Sequence, residues 1–245
     1  MTHSKIALIT GANRGLGLET AKQLAQQVDT VIVTGRNQQQ LDKVAQDWSG
    51  TPAQIRTLLL DVEDQASIER AVKTIDQDYG KLDILVNNAA VSIEGGWFNN
   101  TSQNISQEVL AKTFNVNLFA VVAVTQGFLP LIKKSPAGRI VNVSSILGSL
   151  HAQADENAEV APIKTLAYNA SKAALNSFTI HLAAALKDTL VKVNSAHPGW
   201  VKTDMGTDAA PMVVEDGAKT MVGLALLDAK GPSGGFFHMG EVMAW

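Results

Sequence analysis

The chain has no cysteine, which excludes disulfides and thiolate metal sites and is compatible with a reducing compartment. It also lacks a surplus of either charge. Lys and Arg number 20 against 23 Asp and Glu, a net charge of −3, so no basic excess points to nucleic acid or an anionic membrane. The apolar stretch after Lys5 is too short for a signal-peptide core, and no run is expected to span a bilayer. Histidines are few, and neither His151 nor His197 has His or carboxylate neighbours at ligand spacing, so no metal is expected. These absences predict a soluble, cytoplasmic protein.

What the chain does contain is 46% hydrophobic residues over 245 positions, enough for the core of one large α/β domain. Val-, Ile- and Leu-rich runs at 5–10, 29–34, 54–60, 82–87, 138–144 and 190–196 read as buried strands. Helix-period stretches at 16–27, 38–48, 64–79, 106–134 and 165–187 separate them. No linker or repeat interrupts this alternation, which predicts one domain over 1–245, a doubly wound, Rossmann-type parallel sheet of about seven strands with helices on both faces. Such sheets bind ligands beyond the carboxyl ends of their strands.

The chemistry-bearing residues fall at those ends. After the first strand comes Thr10-Gly11-Ala12-Asn13-Arg14-Gly15-Leu16-Gly17, a G-x-x-x-G-x-G turn that opens a helix and suits a pyrophosphate. The second strand ends Gly35-Arg36-Asn37, with no acid for a ribose 2′-hydroxyl. Arg36, with Arg14 as a second charge, favours a 2′-phosphate and so NADP(H) over NAD(H). Asp61, before Val62, could accept from an adenine amino group or cap the next helix. Asn88-Ala89-Ala90 places small residues where backbone must pass near a cofactor. Tyr168 and Lys172 lie one helical turn apart on one face. An ammonium at roughly 4 Å would lower a phenol pKa by about three units, which suits proton transfer.

This set occurs in the order of the short-chain dehydrogenase/reductase family, which the whole chain resembles, most closely the carbonyl reductases. The stretches Arg139–Ser145, Pro198-Gly199-Trp200-Val201-Lys202-Thr203-Asp204-Met205 and Gly231–Phe237 carry the likeness to that branch. The resemblance implies that Ser145 polarises a substrate carbonyl and Tyr168 protonates the alkoxide. Lys172 would bind the nicotinamide ribose, and Asn117 would hold a water in a relay to Lys172. Pro198, Gly199 and Thr203, with Trp200 and Val201 beside them, would hold the nicotinamide and its phosphate side. Ala90 stands where the family often has glycine.

Trp200 should give the pocket an aromatic wall, and Trp97, with Phe98, is a candidate for touching substrate. A polar insert over 149–165 carries Asp155, Glu156 and Glu159, and a small substrate lid is expected near 204–216. The insert bears on the helix pairing used for oligomers, so both a monomer and a homo-oligomer remain open. A reductase of 3-oxoacyl groups on an acidic acyl carrier protein would need a basic patch, whereas this insert is acidic. A non-catalytic NADPH-binding regulator would show a broken tetrad, and Asn117, Ser145, Tyr168 and Lys172 are all present.

Overall fold

The computed structural model describes residues 4–98 and 100–245. Strands β1 (Ile6–Ile9), β2 (Thr30–Gly35), β3 (Gln54–Leu59), β4 (Ile84–Asn87), β5 (Arg139–Val143), β6 (Lys192–Ala196), β7 (Phe236–His238) and β8 (Glu241–Val242) form one sheet in the order 3-2-1-4-5-6-7-8. All neighbours pair parallel except β7 and β8. The order reverses between β1 and β4, where a doubly wound sheet opens a crevice for ligands. Sequence periodicity led to about seven strands; the eighth is a two-residue return after Met239 and Gly240, both at positive φ. Two residues carry no readable alternation.

The helices α1 (Gly15–Leu24), α2 (Gln38–Asp47), α3 (Gln65–Tyr79), α4 (Gln107–Phe114), α5 (Ala120–Ile132), α6 (Leu150–Ala154), α7 (Leu166–Ala185) and α8 (Val214–Ala225) cover the sheet. Two apolar clusters result. One gathers Ile9, Leu24, Val33, Leu41 and Met221, the other Leu8, Ile75, Phe128, Leu131 and Val193. Alternate β1 residues Leu8 and Ile9 thus enter opposite clusters, as the two-residue period of a strand requires.

The expected helix over 106–134 is α4 and α5 joined by one π-helical stretch at Asn115–Phe119. The combined stretch Gln107–Ile132 spans 26 residues and contains an 18-residue window of mean hydropathy 1.6. By length and composition alone it could cross a bilayer, yet half of that window is buried inside the fold, as in a core helix. Pro130 lies inside α5, which ends two residues later at Ile132. Proline forfeits one backbone hydrogen bond there, and the burial of Leu131 and Ile132 carries the helix past it.

A polar ladder crosses the sheet beneath the crevice. The Asn87 amide donates to Thr125 Oγ1 at 2.9 Å and to Asn142 Oδ1 at 2.8 Å. Asn142 donates to Thr179 Oγ1 at 2.9 Å, and Ser195 Oγ to the same oxygen at 2.8 Å. All five residues are buried. The bonds tie β4, β5 and β6 to α5 and α7 with a specificity that apolar packing lacks. Replacing Asn142 with Ala should lower the stability read from urea unfolding by about 2 kcal/mol, since it strips partners from two buried groups. A loss no larger than that of an exposed Asn→Ala change would show the ladder to be energetically idle.

Candidate active site

At the carboxyl ends of the strands lies a cleft of about 1140 Å³. Its first wall is the glycine turn. Gly11 and Gly15 have φ of +61° and +53°, values that L side chains rarely adopt. A Cβ at Gly17 would lie 2.5 Å from Asn88 Nδ2, so only glycine lets this turn nest against the loop after β4. Asn88 in turn donates to the carbonyls of Thr10 and Gly11 at 2.9 and 3.1 Å. No side chain caps the start of α1, and its first turn has no acid. The free N–H groups there are a ready anion site. These features fit the pyrophosphate of a dinucleotide.

Nearly all of the expected site residues line this cleft. Asn37 and Asn117 do not. Asn37 caps α2, its Oδ1 accepting from Gln40 N at 3.1 Å. Asn117 is buried, and its amide is fully engaged: Oδ1 accepts from Val91 N at 2.8 Å, and Nδ2 donates to Val91 O and Ser171 Oγ at 2.9 and 3.0 Å. Its side chain therefore braces the loop after β4 against α7. Of the two readings for Asp61, capping falls away, because Asp64 caps α3 through Ala66 N at 3.0 Å. Arg36 is exposed at the edge of the cleft. Arg14 turns across the mouth to Asp204, at 2.6 Å.

At the inner end Ser145, Tyr168 and Lys172 converge, all buried. Ser145 stands at the outlet of β5 and caps the 3₁₀ turn Ile146–Gly148, its Oγ accepting from Leu147 N at 3.1 Å. The turn rests directly on α7: a Cβ at Gly148 would come within 2.7 Å of the Lys172 backbone. Lys172 Nζ donates to Val143 O at 2.7 Å and lies 5.7 Å from the centroid of the Tyr168 ring.

The electrostatics reverse the expectation for the phenol. Burial pushes Tyr168 up to about 12, with its interaction with Ser145 opposing that rise. Burial likewise pushes Lys172 down to about 7. Desolvation disfavours each charged form, and it outweighs an attraction for which the sequence spacing supplied a distance but no dielectric. The pair is set so that tyrosine holds its proton and lysine readily gives one up.

One functional residue escaped the sequence reading. Glu94, in the loop after β4, accepts from the backbone N–H of Ala167 at 3.1 Å and of Tyr168 at 2.7 Å, and from Thr101 Oγ1 at 2.7 Å. Thr165 supplies no side-chain cap to α7, so this carboxylate terminates the helix that carries Tyr168 and complements its dipole. Glu94 and Tyr168 lie 74 residues apart in sequence, and no local spacing announces the contact. On the same loop Trp97 packs edge-on to Tyr168, centroids 5.3 Å apart at 86°.

Trp97 Nε1 donates to Met205 O at 3.3 Å and Trp200 Nε1 to Gly206 O at 2.7 Å. The two indoles thereby hold the segment after Thr203, where a small lid is expected. Its base is pinned by Lys202 N donating to Met212 O at 2.8 Å, and Val214–Asp216, expected within the lid, begin α8. The insert folds as α6 and turns, and Glu159, Val160 and Ile163 add a further wall to the cleft.

Known proteins share this arrangement. Residues 5–213 match the model of the family described as short chain dehydrogenase. The NADPH-bound carbonyl reductase from chicken fatty liver superposes with a TM-score of 0.85 at 30% identity, over 100% of both chains. The (−)-isopiperitenone reductase of Mentha piperita is 32% identical over 98% of this chain and 98% of its own. A 3-oxoacyl-acyl-carrier-protein reductase of Thermotoga maritima is 32% identical, covering 90% of this chain and 83% of its own.

The lysine makes stability pH-dependent. Its folded pKa of about 7 lies below the ordinary 10.5, so between those values the unfolded chain binds more protons and stability rises with pH, by at most about 1.4 kcal/mol per unit. Tyr168, raised from 10.0 to about 12, acts oppositely above pH 10, because there the folded chain binds more protons. Urea unfolding between pH 7 and 9.5 should therefore show a shallower rise in Lys172→Met than in the parent. Parallel curves would mean that Lys172 stays fully charged in the fold.

Proposed function

Since this chain belongs to the short-chain dehydrogenase family, we propose that it is an NADPH-dependent carbonyl reductase of the cytoplasm, which reduces a ketone or aldehyde reversibly to an alcohol. The observation that carries this reading is the meeting of Ser145, Tyr168 and Lys172 at the inner end of a cleft whose outer end is built for a dinucleotide. Bound NADPH supplies the hydride.

The chain's own residues supply the rest. Ser145 Oγ and the Tyr168 hydroxyl are positioned to donate to the carbonyl oxygen and polarise it. Tyr168 then gives up its proton as negative charge develops on that oxygen. A phenol near 12 is a stored acid, still protonated at working pH yet far more acidic than an alcohol. Lys172, brought down to about 7, is poised to return a proton to the phenolate. Asn117 keeps Ser171 and the loop after β4 in place around them. The mostly apolar walls, with Trp97, Trp200, Ile163 and Met212, suit a hydrophobic carbonyl compound and exclude water from the reacting atoms.

Arg36 at the edge of the cleft, with Gly35 in place of a carboxylate, supports NADP(H) over NAD(H). Arg14 is a second candidate, because an exposed ion pair such as its bridge to Asp204 is worth at most about 1 kcal/mol and yields readily to a phosphate. The Thermotoga relative raises acyl-carrier-protein substrates as a second reading. Arg139, the basic residue nearest that idea, is buried and spends its guanidinium on the carbonyls of Leu227, Gly138, Leu190 and Asp228. It cannot greet an acidic partner.

Replacing Tyr168 with Phe should lower kcat by about 10²–10⁴-fold and leave the NADPH Kd within about threefold, as read by NADPH oxidation and fluorescence titration. Retained turnover would refute the mechanism. Replacing Arg36 with Ala should raise the NADPH Kd about 10- to 100-fold with little change for NADH. An equal effect on both cofactors would refute the 2′-phosphate assignment. In a panel of ketones, aldehydes, quinones and 3-oxoacyl thioesters, activity confined to the thioesters would favour the carrier-protein reading.

A further inference from the structure

His197 follows β6 directly and belongs to none of the groups used above. Its ring is buried, and its Nδ1 faces two backbone donors: the N–H of Ile146 at 3.2 Å and the N–H of Gly199 at 3.4 Å. Ile146 is the residue after Ser145. Gly199 belongs to the Pro198-Gly199 turn, which follows β6, the strand beside β5. A single ring nitrogen thus spans the two loops that must be kept in register if a polarised carbonyl is to meet a hydride donor.

The nitrogen can do so only as an acceptor, which fixes the neutral imidazole with its proton on Nε2. The surroundings hold it that way. His238, on β7, lies with its Nδ1 2.9 Å from the His197 carbonyl. A carbonyl only accepts, so that His238 nitrogen donates. The two rings are 4.8 Å apart. Burial, with His238 nearby, pushes the His197 pKa down to about 3, so the ring remains an acceptor under ordinary conditions. Behind the turn there is no slack: a Cβ at Gly199 would meet Met212 Sδ at 2.8 Å and His238 Cε1 at 3.3 Å. The backbone is braced as well, His197 N donating to Phe237 O at 2.8 Å and Ser144 N to Ala196 O at 2.8 Å.

We propose that His197 is a positioning residue, whose Nδ1 ties the Ser145 loop to the Pro198-Gly199 turn and sets the distance between the polarised carbonyl and the nicotinamide. It acts through these two loops rather than on the reacting atoms. Its role in turnover rests on the carbonyl-reductase reading; its role in shaping the cofactor turn does not. A misplacement of about 1 Å between reacting groups can cost roughly 10²-fold in rate, so a hydrogen bond this far from the chemistry is expected to register in kcat.

The test compares substitutions that keep or lose an acceptor at the Nδ1 position. His197→Asn places its Oδ1 near that nitrogen, His197→Gln reaches instead toward Nε2, and His197→Leu offers no acceptor. Expected for the Leu and Gln variants is a fall in kcat of about 30- to 100-fold, with a rise in NADPH Kd of about three- to tenfold. The Asn variant should stay within about threefold of the parent in both, which is rescue by the acceptor alone. Should the Leu variant fail to fold, the Asn–Gln contrast decides. Asn as impaired as Gln, or Gln unimpaired, overturns the proposal. A ring that merely filled space would give Asn and Gln equal defects in thermal midpoint and no split in kcat. If the parent turns over no carbonyl compound, the function proposed above fails, whereas the NADPH affinities of the same variants still decide whether the tie exists.

Discussion

One contact governs the geometry of the site: the near-touching of α7 and the turn after β5. Gly148 presses on the Lys172 backbone, and Lys172 Nζ reaches the Val143 carbonyl. An amine taken from water is costly unless it is hydrogen-bonded or gives up its charge. Both happen here. With the amine anchored on the outlet of β5, Tyr168, one turn earlier, has its place beside Ser145. Glu94 and Trp97 then hold that tyrosine from its backbone and its ring. Tyr168 is thus gripped from three directions before any reactant arrives, the preorganisation that the proposed proton transfer requires.

Around this contact the sheet is held by polar groups at two levels. The ladder Asn87–Asn142–Thr179–Ser195 lies under the crevice. At the other end of the strands, Asp83 accepts from Ile6 N at 2.9 Å and also binds Lys81 and Ser135, while Arg139 ties the loops after α7 and α8 to β5. Each of these groups would be a liability alone. Jointly they fix strand order and register more sharply than interchangeable Val and Ile contacts could. The chemistry is placed at one end of a frame that polar bonds hold at both.

How much of this was legible in the sequence follows from the range of each signal. The Gly11–Gly17 turn, the Tyr168–Lys172 spacing and the six strand runs are local, and periodicity or short motifs expose them, although β3, expected to be buried, lies at the sheet edge with none of its residues buried. The π turn at Asn115–Phe119 is not local in that sense, since its residues fit an ordinary helix equally well. Glu94 acts on a helix far along the chain, and Asn37, beside Arg36 in sequence, serves as the cap of α2. The tyrosine's pKa was misjudged in sign, because one-dimensional spacing yields a charge separation and says nothing of burial. His197 was passed over as a structural residue for the same reason: its two partners come from segments about 50 residues upstream and two residues on.

The two indoles bonded to the carbonyls of Met205 and Gly206 have an optical consequence. The chain has four tryptophans, and two of them, Trp97 and Trp200, are hydrogen-bonded to the carbonyls of Met205 and Gly206. The others are engaged elsewhere, Trp48 with Thr51 and Trp245 stacked on Phe236. Two of the four indoles thus report on the surroundings of Met205 and Gly206, while the other two lie elsewhere. The molecule has its own reporter of that segment, readable without any label and on the timescale of a stopped-flow trace.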